Sequence, residues 1–394
     1  MTSDPVRQRI DALDGLRGLL ALYVSLIHAY WLLGQQWLHG LQQSPGYDGS
    51  SLQRVLTQSL VYGYDAVLGF FVLSGLVIRL RYPALEGPKA YLGYARGRLL
   101  RLMPVMALGL AIALVLDQWT PAPNWPLWQG TSPYQSFTDH LSRLPRDAGT
   151  WWRTLTFQVS WNTKSWGSQV VYWSLGHEGF YYLVYPLAVI GYRRCREVCV
   201  VAVFALAAHA TLVPSAWPTE SLRSWAALAP AWWCGVYVMD AMRGETRVPL
   251  KCLGRMWVIL PAVAVLHYVS LRSPLTMSWE QRVWYSMAIS LGWAGVLSLI
   301  IGEGPQRLLY TVLRRMAPFG TFSYTLYVVH FPVQAWLSGW LMSRHPGGEL
   351  PPHPGWMIGG WLLSVAAAYL LYHLVERPAL ELSRRRIDFC AQKQ

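Results

Sequence analysis

The sequence predicts an all-α polytopic membrane protein: a bundle of about ten transmembrane helices with both termini cytoplasmic. Three observations lead there. The 394 residues are 53% hydrophobic and only 13% charged, against about 25% charge in an ordinary soluble domain. The 22 Trp and 22 Tyr suit a chain with two membrane–water interfaces, where both residue types gather. Apolar runs of membrane length recur along the whole chain, separated by short basic loops.

Ten runs can be placed in order. Span 16–34 carries Arg17 near its start and His28 well inside. Span 59–80 holds FFVLSG (70–75), and span 99–117 follows the basic stretch RGRLLRLMP (96–104). Span 170–191 opens with WSLGHEGFYYLVYP (173–186). Spans 197–214, 224–241, 256–271 and 283–301 are plainer apolar runs. Span 322–343 opens with FSYTLYVVHFP, and span 356–375 ends in HLVERP (373–378). Segment 150–160 (TWWRTLTFQVS) is amphipathic and reads either as an interfacial helix or as a short extra span. The chain is expected to be one integral-membrane domain over 1–394, since no soluble insertion is long enough to fold and no internal repeat is visible. No cleavable leader is expected, because the first span is too long and lacks a small-residue cleavage site.

Lysine and arginine fix the expected orientation. With both termini inside, 21 of the 33 basic residues fall in inner segments, nine in outer loops and three (Arg17, Arg79, Arg101) at inner span ends. The outer connection 118–169 is rich in Trp and Pro. It reads equally well as an interfacial lid or as a stacking surface for a sugar. A net charge of +13 raises nucleic acid as a partner, but the charges are scattered between apolar spans and form no basic face, so none is expected. Cys195, Cys199, Cys234, Cys252 and Cys390 show no CxxC pair and no metal-ligand spacing, so no metal site is expected.

Ionisable groups inside a span are costly and mark functional sites by default. Arg17 and His28 are eleven residues apart, which puts both on one helix face about 16 Å apart. Arg98 and Arg101 share a face at i,i+3. Counting helix rise from the expected boundaries puts His28 about 18 Å and Glu178 about 19 Å from the inner surface, and His330 at about 12 Å. That makes Glu178 a candidate partner for the imidazole. The plainer alternatives are that inner-end arginines only anchor topology and that a lone histidine is a packed one. Ser74 and Gly75 read first as a close helix contact, with a nucleophilic Ser74 as the lesser alternative. Glu376 and Arg377, before Pro378, read as an ion pair that stops the last helix.

The stretches LDGLRG…H, FFVLSG, RxxRLMP, WSLxxEGFYYLVYP, SYTLYVVHFP and VERP occur in this order over residues 13–378. Together they resemble the acyltransferase-3 family of integral-membrane O-acyltransferases. The resemblance implies a bundle that takes an acyl group, usually acetyl, from cytoplasmic acyl-coenzyme A. It delivers the group to a hydroxyl of a cell-envelope or exported glycan, from a bacterial inner membrane, with no bound cofactor. It implies a catalytic role for His28, as general base; the depth count adds Glu178 as a catalytic partner, with a structural carboxylate tied to helix ends as the equal alternative. Substrate contacts fall to Arg17, Arg98, Arg101, Ser74, Tyr324 and His330. Arginine suits the donor's phosphates, because its planar fork makes charge-assisted bidentate contacts. Imidazole suits proton abstraction from an attacking hydroxyl. Two positions depart from the family pattern: Leu68 stands where members often carry aspartate, with Asp65 one turn earlier, and Gly179 replaces the second acidic residue after Glu178. A transporter or flippase for an acyl donor or lipid-linked sugar is the alternative of a different class. The acceptor's identity, the acyl length and the oligomeric state are not legible.

Overall fold

The computed structural model describes residues 5–34, 37, 59–132, 141–270, 277–302, 307–351 and 353–382. Helices form throughout, and no strand occurs among the described residues. The α-helices of eight or more residues are, in chain order, α1 (Pro5–Leu33), α2 (Gly63–Arg81), α3 (Gly87–Gln118), α4 (Ala148–Leu155), α5 (Tyr172–Tyr192), α6 (Arg196–Leu212), α7 (Glu220–Met242), α8 (Ile259–Ser270), α9 (Trp279–Ile301), α10 (Arg307–Thr321), α11 (Ser323–Arg344) and α12 (Pro354–Leu371). Among the described residues, six segments are long and apolar enough to cross a membrane: Ile10–Leu33, Gly63–Arg81, Gly87–Gln118, Leu250–Tyr268, Trp279–Ile301 and Pro354–Leu382. The other four expected spans are also helical. However, α6 is only 17 residues long, and α5, α7 and α11 are diluted by Tyr, Trp, His and Ser that face the interior.

Glycine decides how closely the helices approach. A Cβ on Gly75 of α2 would lie 1.9 Å from the Trp232 carbonyl oxygen, and one on Gly235 of α7 would lie 1.8 Å from that of Val72. The two backbones therefore touch, and only the absence of a side chain allows it. Gly15 and Gly18 play the same part in seating α1 on α10 (Leu313, Phe319 and Gly320). Helix α10 falls in a loop that the span pattern leaves unassigned. Its amphipathic sequence lays an apolar stripe against LDGLRG.

The face of the bundle away from residues 118–171 is tied by buried charge. Asp240 of α7, fully buried, accepts from Arg79 Nε of α2 at 2.6 Å and from Arg196 Nε of α6 at 2.8 Å. Arg196 also pairs with Glu245. Paired in this way, the buried charges avoid the desolvation penalty that either would meet alone.

The connection 118–171 does not stay outside the bundle. Segment 150–160 yields only α4, eight residues and about 12 Å long, too short to span. Asp147 caps it by accepting from the Thr150 amide at 2.8 Å. The chain then dips inward. Gln169 Nε2 donates to Gly109 O at 2.6 Å and Tyr172 OH to Met106 O at 2.9 Å. Asp117 receives the Ser168 amide at 2.7 Å. Gly109 lies nine residues before the end of α3, about 14 Å deep. So α5 starts well inside the bundle. The residues 157–159 lie directly on its opening turns: a Cβ on Gly176 would lie 1.8 Å from Val159 O, and one on Gly179 2.5 Å from the Phe157 ring. Phe157 adopts φ +62 to make this contact, a rare conformation for a bulky residue. The missing second acid after Glu178 is thereby explained, because the Phe157 ring fills its place.

This re-entry overturns the depth count for Glu178. Measured from a surface start it came level with His28, but α5 begins about 14 Å down and Glu178 is six residues further on, about 9 Å deeper again. The end of α12 also differs from the expected ion pair. Helical structure continues through a π turn at Tyr372–Glu376 and past Pro378 to Leu382. That turn swings Glu376 inward, 2% exposed, to accept from Thr325 Oγ1 at 2.5 Å and Thr325 N at 3.2 Å. Arg377 pairs instead with Glu381 at 3.0 Å on the surface.

Candidate active site

Six of the sequence-predicted site residues line one internal cavity of about 90 Å³: Arg17, Ser74, Arg98, Arg101, Glu178 and Tyr324. They come from five helices (α1, α2, α3, α5 and α11), so no local stretch could have shown the grouping. The cavity's polar end holds the three arginines. Arg17 Nη2 donates to Asp14 at 2.7 Å and to Gly320 O at 3.1 Å, and its Nε is buried without a hydrogen-bond partner. Arg98, 7% exposed, lies between two aromatic faces, 5.4 Å from the Tyr82 ring centre and 5.7 Å from that of Tyr182. Its Nε is also unpartnered. Glu376, at the foot of α12, is within electrostatic reach of Arg17 and Arg101.

Midway along the cavity sits a carboxylate ring. Glu178 accepts from Ser74 Oγ at 2.8 Å and from Tyr182 OH, and those two oxygens are 2.9 Å apart. Ser74 therefore faces the cavity, while its neighbour Gly75 takes part in the close α2–α7 contact. Tyr182 was not singled out from sequence. The signal was the i,i+4 spacing of Glu178 and Tyr182 in HEGFYY, which puts both on one face. Tyr324 spends its hydroxyl on Leu102 O at 3.2 Å, and the apolar end of the cavity closes on Phe70 and Tyr327. Tyr327 OH meets Ser174 Oγ at 2.6 Å.

His28 and His330 do not line this cavity. They form a pair beyond its Tyr327 end, with His28 Nδ1 2.9 Å from His330 Nε2 and the rings stacked at 5.1 Å. His330 is fully buried, whereas His28 retains exposed surface. The hydrogen bonds fix the proton positions. His330 Nδ1 is 2.9 Å from Leu326 O, and a carbonyl only accepts, so that nitrogen carries the hydrogen. In the neutral ring its Nε2 must then accept, and His28 Nδ1 must donate. The lone pair of His28 is left on Nε2, the nitrogen not engaged by His330. Glu178 lies on the other side of Tyr327 and bonds no atom of His28, so the ring is oriented by a second histidine and not by a carboxylate.

The other family departure has a local explanation. Leu68 is fully buried in apolar packing, and Asp65 supplies the carboxylate one turn away. It accepts from Tyr285 OH at 2.6 Å, which ties α2 to α9.

The described helices thus enclose a cavity with three arginines at one end, and the histidine pair lies beyond the other. The chain belongs to the acyltransferase-3 family: residues 10–373, nearly its whole length, match the family's acyltransferase domain. Membrane acyltransferase activity follows from that membership. Neither the curated proteins nor the solved structures gave a match.

Proposed function

We propose that the protein is an O-acyltransferase that moves an acyl group, acetyl in the simplest case, from cytoplasmic acyl-coenzyme A to a hydroxyl of a cell-envelope glycan. The reading includes ten spans, both termini inside, and a bacterial inner membrane. The observation that carries it is the His28–His330 pair, with nitrogens 2.9 Å apart, beyond a cavity that holds three arginines at its other end.

The donor's phosphates bind at Arg17, Arg98 and Arg101, where the Nε–H groups of Arg17 and Arg98 are available for an anion. The pantetheine arm runs past Ser74, Glu178 and Tyr182, which offer it polar partners. The thioester reaches the level of His28, eleven residues and about 16 Å beyond Arg17, once the Tyr327 side chain that closes the cavity swings aside. There His28 Nε2 takes the proton of the acceptor hydroxyl as its oxygen attacks the thioester carbon. The C–S bond breaks, and the proton passes to the departing thiolate. His330 acts through His28, as a positioning residue. Glu178 organises the arm and does not touch the reacting atoms.

The test is release of coenzyme A from acetyl-coenzyme A by purified protein with a glycan acceptor. Release coupled to acetylated product supports the reading. Movement of donor or sugar across a vesicle without cleavage would make the protein a transporter.

A further inference from the structure

Proton abstraction by His28 leaves one charge unattended. Attack by the acceptor hydroxyl drives the carbonyl electron pair of the thioester onto its oxygen, and a preorganised donor at that oxygen is usually the largest single contribution to rate. The three arginines hold the other end of the cavity, and the remaining side-chain donors in its lining are hydroxyls. Four of these donate elsewhere. Ser74 and Tyr182 are held on Glu178. Ser323 donates to Gly320 O at 2.8 Å and Tyr324 to Leu102 O at 3.2 Å. Ser174 and Tyr327 remain, at the end that closes toward His28.

The two are bonded to each other. Ser174 donates to Val171 O at 3.0 Å, so its oxygen accepts from Tyr327 OH at 2.6 Å. Val171 O is also 3.3 Å from the Tyr327 oxygen. Ser174 Oγ and Val171 O have each other, so neither is stranded when the phenol leaves. Tyr327 and His330 stand at i,i+3 on α11, one face and about 4.5 Å of rise apart, with ring centres 5.9 Å from each other. His330 in turn holds His28 Nδ1 at 2.9 Å. A carbonyl carbon brought to His28 must pass the Tyr327 ring, which is 7% exposed and packs edge-on against Phe70 at 5.8 Å. The phenol is therefore beside the reacting carbon once the ring has turned to admit it.

We propose that Tyr327 is a catalytic residue, whose hydroxyl leaves Ser174 and donates to the thioester carbonyl oxygen. This rests on the acyltransferase reading and adds to it the group that stabilises the oxyanion. The exchange trades a neutral acceptor for a developing anion, and charge-assisted hydrogen bonds are roughly twice as strong as neutral ones. The gain is therefore made in the transition state and not in the resting protein. The acceptor oxygen forms its bond to the carbonyl carbon, and the displaced pair rests on the carbonyl oxygen, where the Tyr327 O–H donates without giving up its proton. When the pair returns, the C=O bond re-forms and the C–S bond breaks. The proton taken by His28 then passes to the thiolate. A purely structural Tyr327, tying α11 to α5, would explain the bond to Ser174 and leave its place between donor and base unexplained.

Two variants break the same bond and separate the roles. Tyr327→Phe keeps the ring and loses the hydroxyl, whereas Ser174→Ala keeps the hydroxyl and removes its resting acceptor. The full chain in detergent is given acetyl-coenzyme A and a glycan acceptor, and kcat for coenzyme A release and the Kd for acetyl-coenzyme A are measured for each. Tyr327→Phe should lower kcat about 10²–10³-fold, the usual cost of one oxyanion donor, with Kd unchanged. Ser174→Ala should raise kcat by up to about tenfold, because a neutral hydrogen bond no longer has to be broken. A slower rate in both would make the bond structural and overturn the proposal, as would an unchanged rate in Tyr327→Phe. If Tyr327→Phe does not insert, Ser174→Ala decides alone: a faster rate supports the proposal, and any other overturns it. Absence of coenzyme A release by the unaltered protein would remove the acyltransferase reading and the proposal with it. Release by the unaltered protein, with both variants slowed, removes the role of Tyr327 and leaves that reading standing.

Discussion

Replacing His330 with leucine should slow acyl transfer without loosening the donor. The side chain is fully buried and accepts one hydrogen bond, from His28 Nδ1 at 2.9 Å. A neutral hydrogen bond of this kind is worth about 0.5–1.5 kcal/mol, and here it selects which nitrogen of His28 is free. Without it the His28 proton redistributes between the two nitrogens, and the population with a lone pair on Nε2 falls. At the upper end of that range the loss is about tenfold in kcat. Leu326 O, released by the substitution, still accepts within its helix, so the variant should insert and fold. His330→Gln, which restores an acceptor, should recover part of the rate. The assay is acetyl transfer by protein in detergent, with kcat and the KM for acetyl-coenzyme A measured separately. A rise in KM at unchanged kcat would mean that His330 contacts the donor, as the sequence alone suggested, and would refute the positioning role.

Arg98→Ala and Arg101→Ala should each weaken acetyl-coenzyme A binding by about 1.5–3 kcal/mol in calorimetry. Arg98→Lys should recover only part, since an ammonium lacks the planar fork; unchanged affinity in the double variant would make both arginines topology anchors. Asp240→Ala strands the buried Arg79 and the partly buried Arg196, and should cost about 3–5 kcal/mol, read as lower thermal stability in detergent with the donor cavity untouched. Gly235→Ala should prevent normal assembly, because its Cβ would sit 1.8 Å from Val72 O; a stable, active variant would show that α2 and α7 do not touch. A cysteine at the exposed Gln129 should react with an impermeant reagent from outside while Cys195, also exposed, is spared; the reverse pattern would invert the topology.

The helical bundle was legible because each span repeats the same local signal, an apolar run closed by basic residues. The grouping of Arg17, Ser74, Arg98, Arg101, Glu178 and Tyr324 was legible as a list and not as a shape, since it needs five helices to converge. The depth of Glu178 was misread because helix rise gives a distance only from a known start. Gln169 and Tyr172 bond into the middle of α3 through side chains, and nothing in the hydropathy of 158–171 marks a loop that turns inward. Glu376 was misread because a π turn shifts the register by one residue, which redirects a carboxylate from the surface to Thr325. The His28–His330 pair lay 302 residues apart in sequence, and two histidines on different spans carry no local sign that their nitrogens meet. Tyr182 was hidden by its company, one aromatic among many.

The central claim is that His28 is the base, and it is tested most directly by comparing binding with turnover in His28→Ala. Acetyl-coenzyme A affinity should stay near that of the unaltered protein, because the arginines lie about 16 Å away along α1. Acetyl transfer should fall by about 10²–10⁴-fold, the usual cost of losing a general base. Transfer at the normal rate would contradict the claim outright, and loss of donor binding together with expression would show that His28 only packs the bundle.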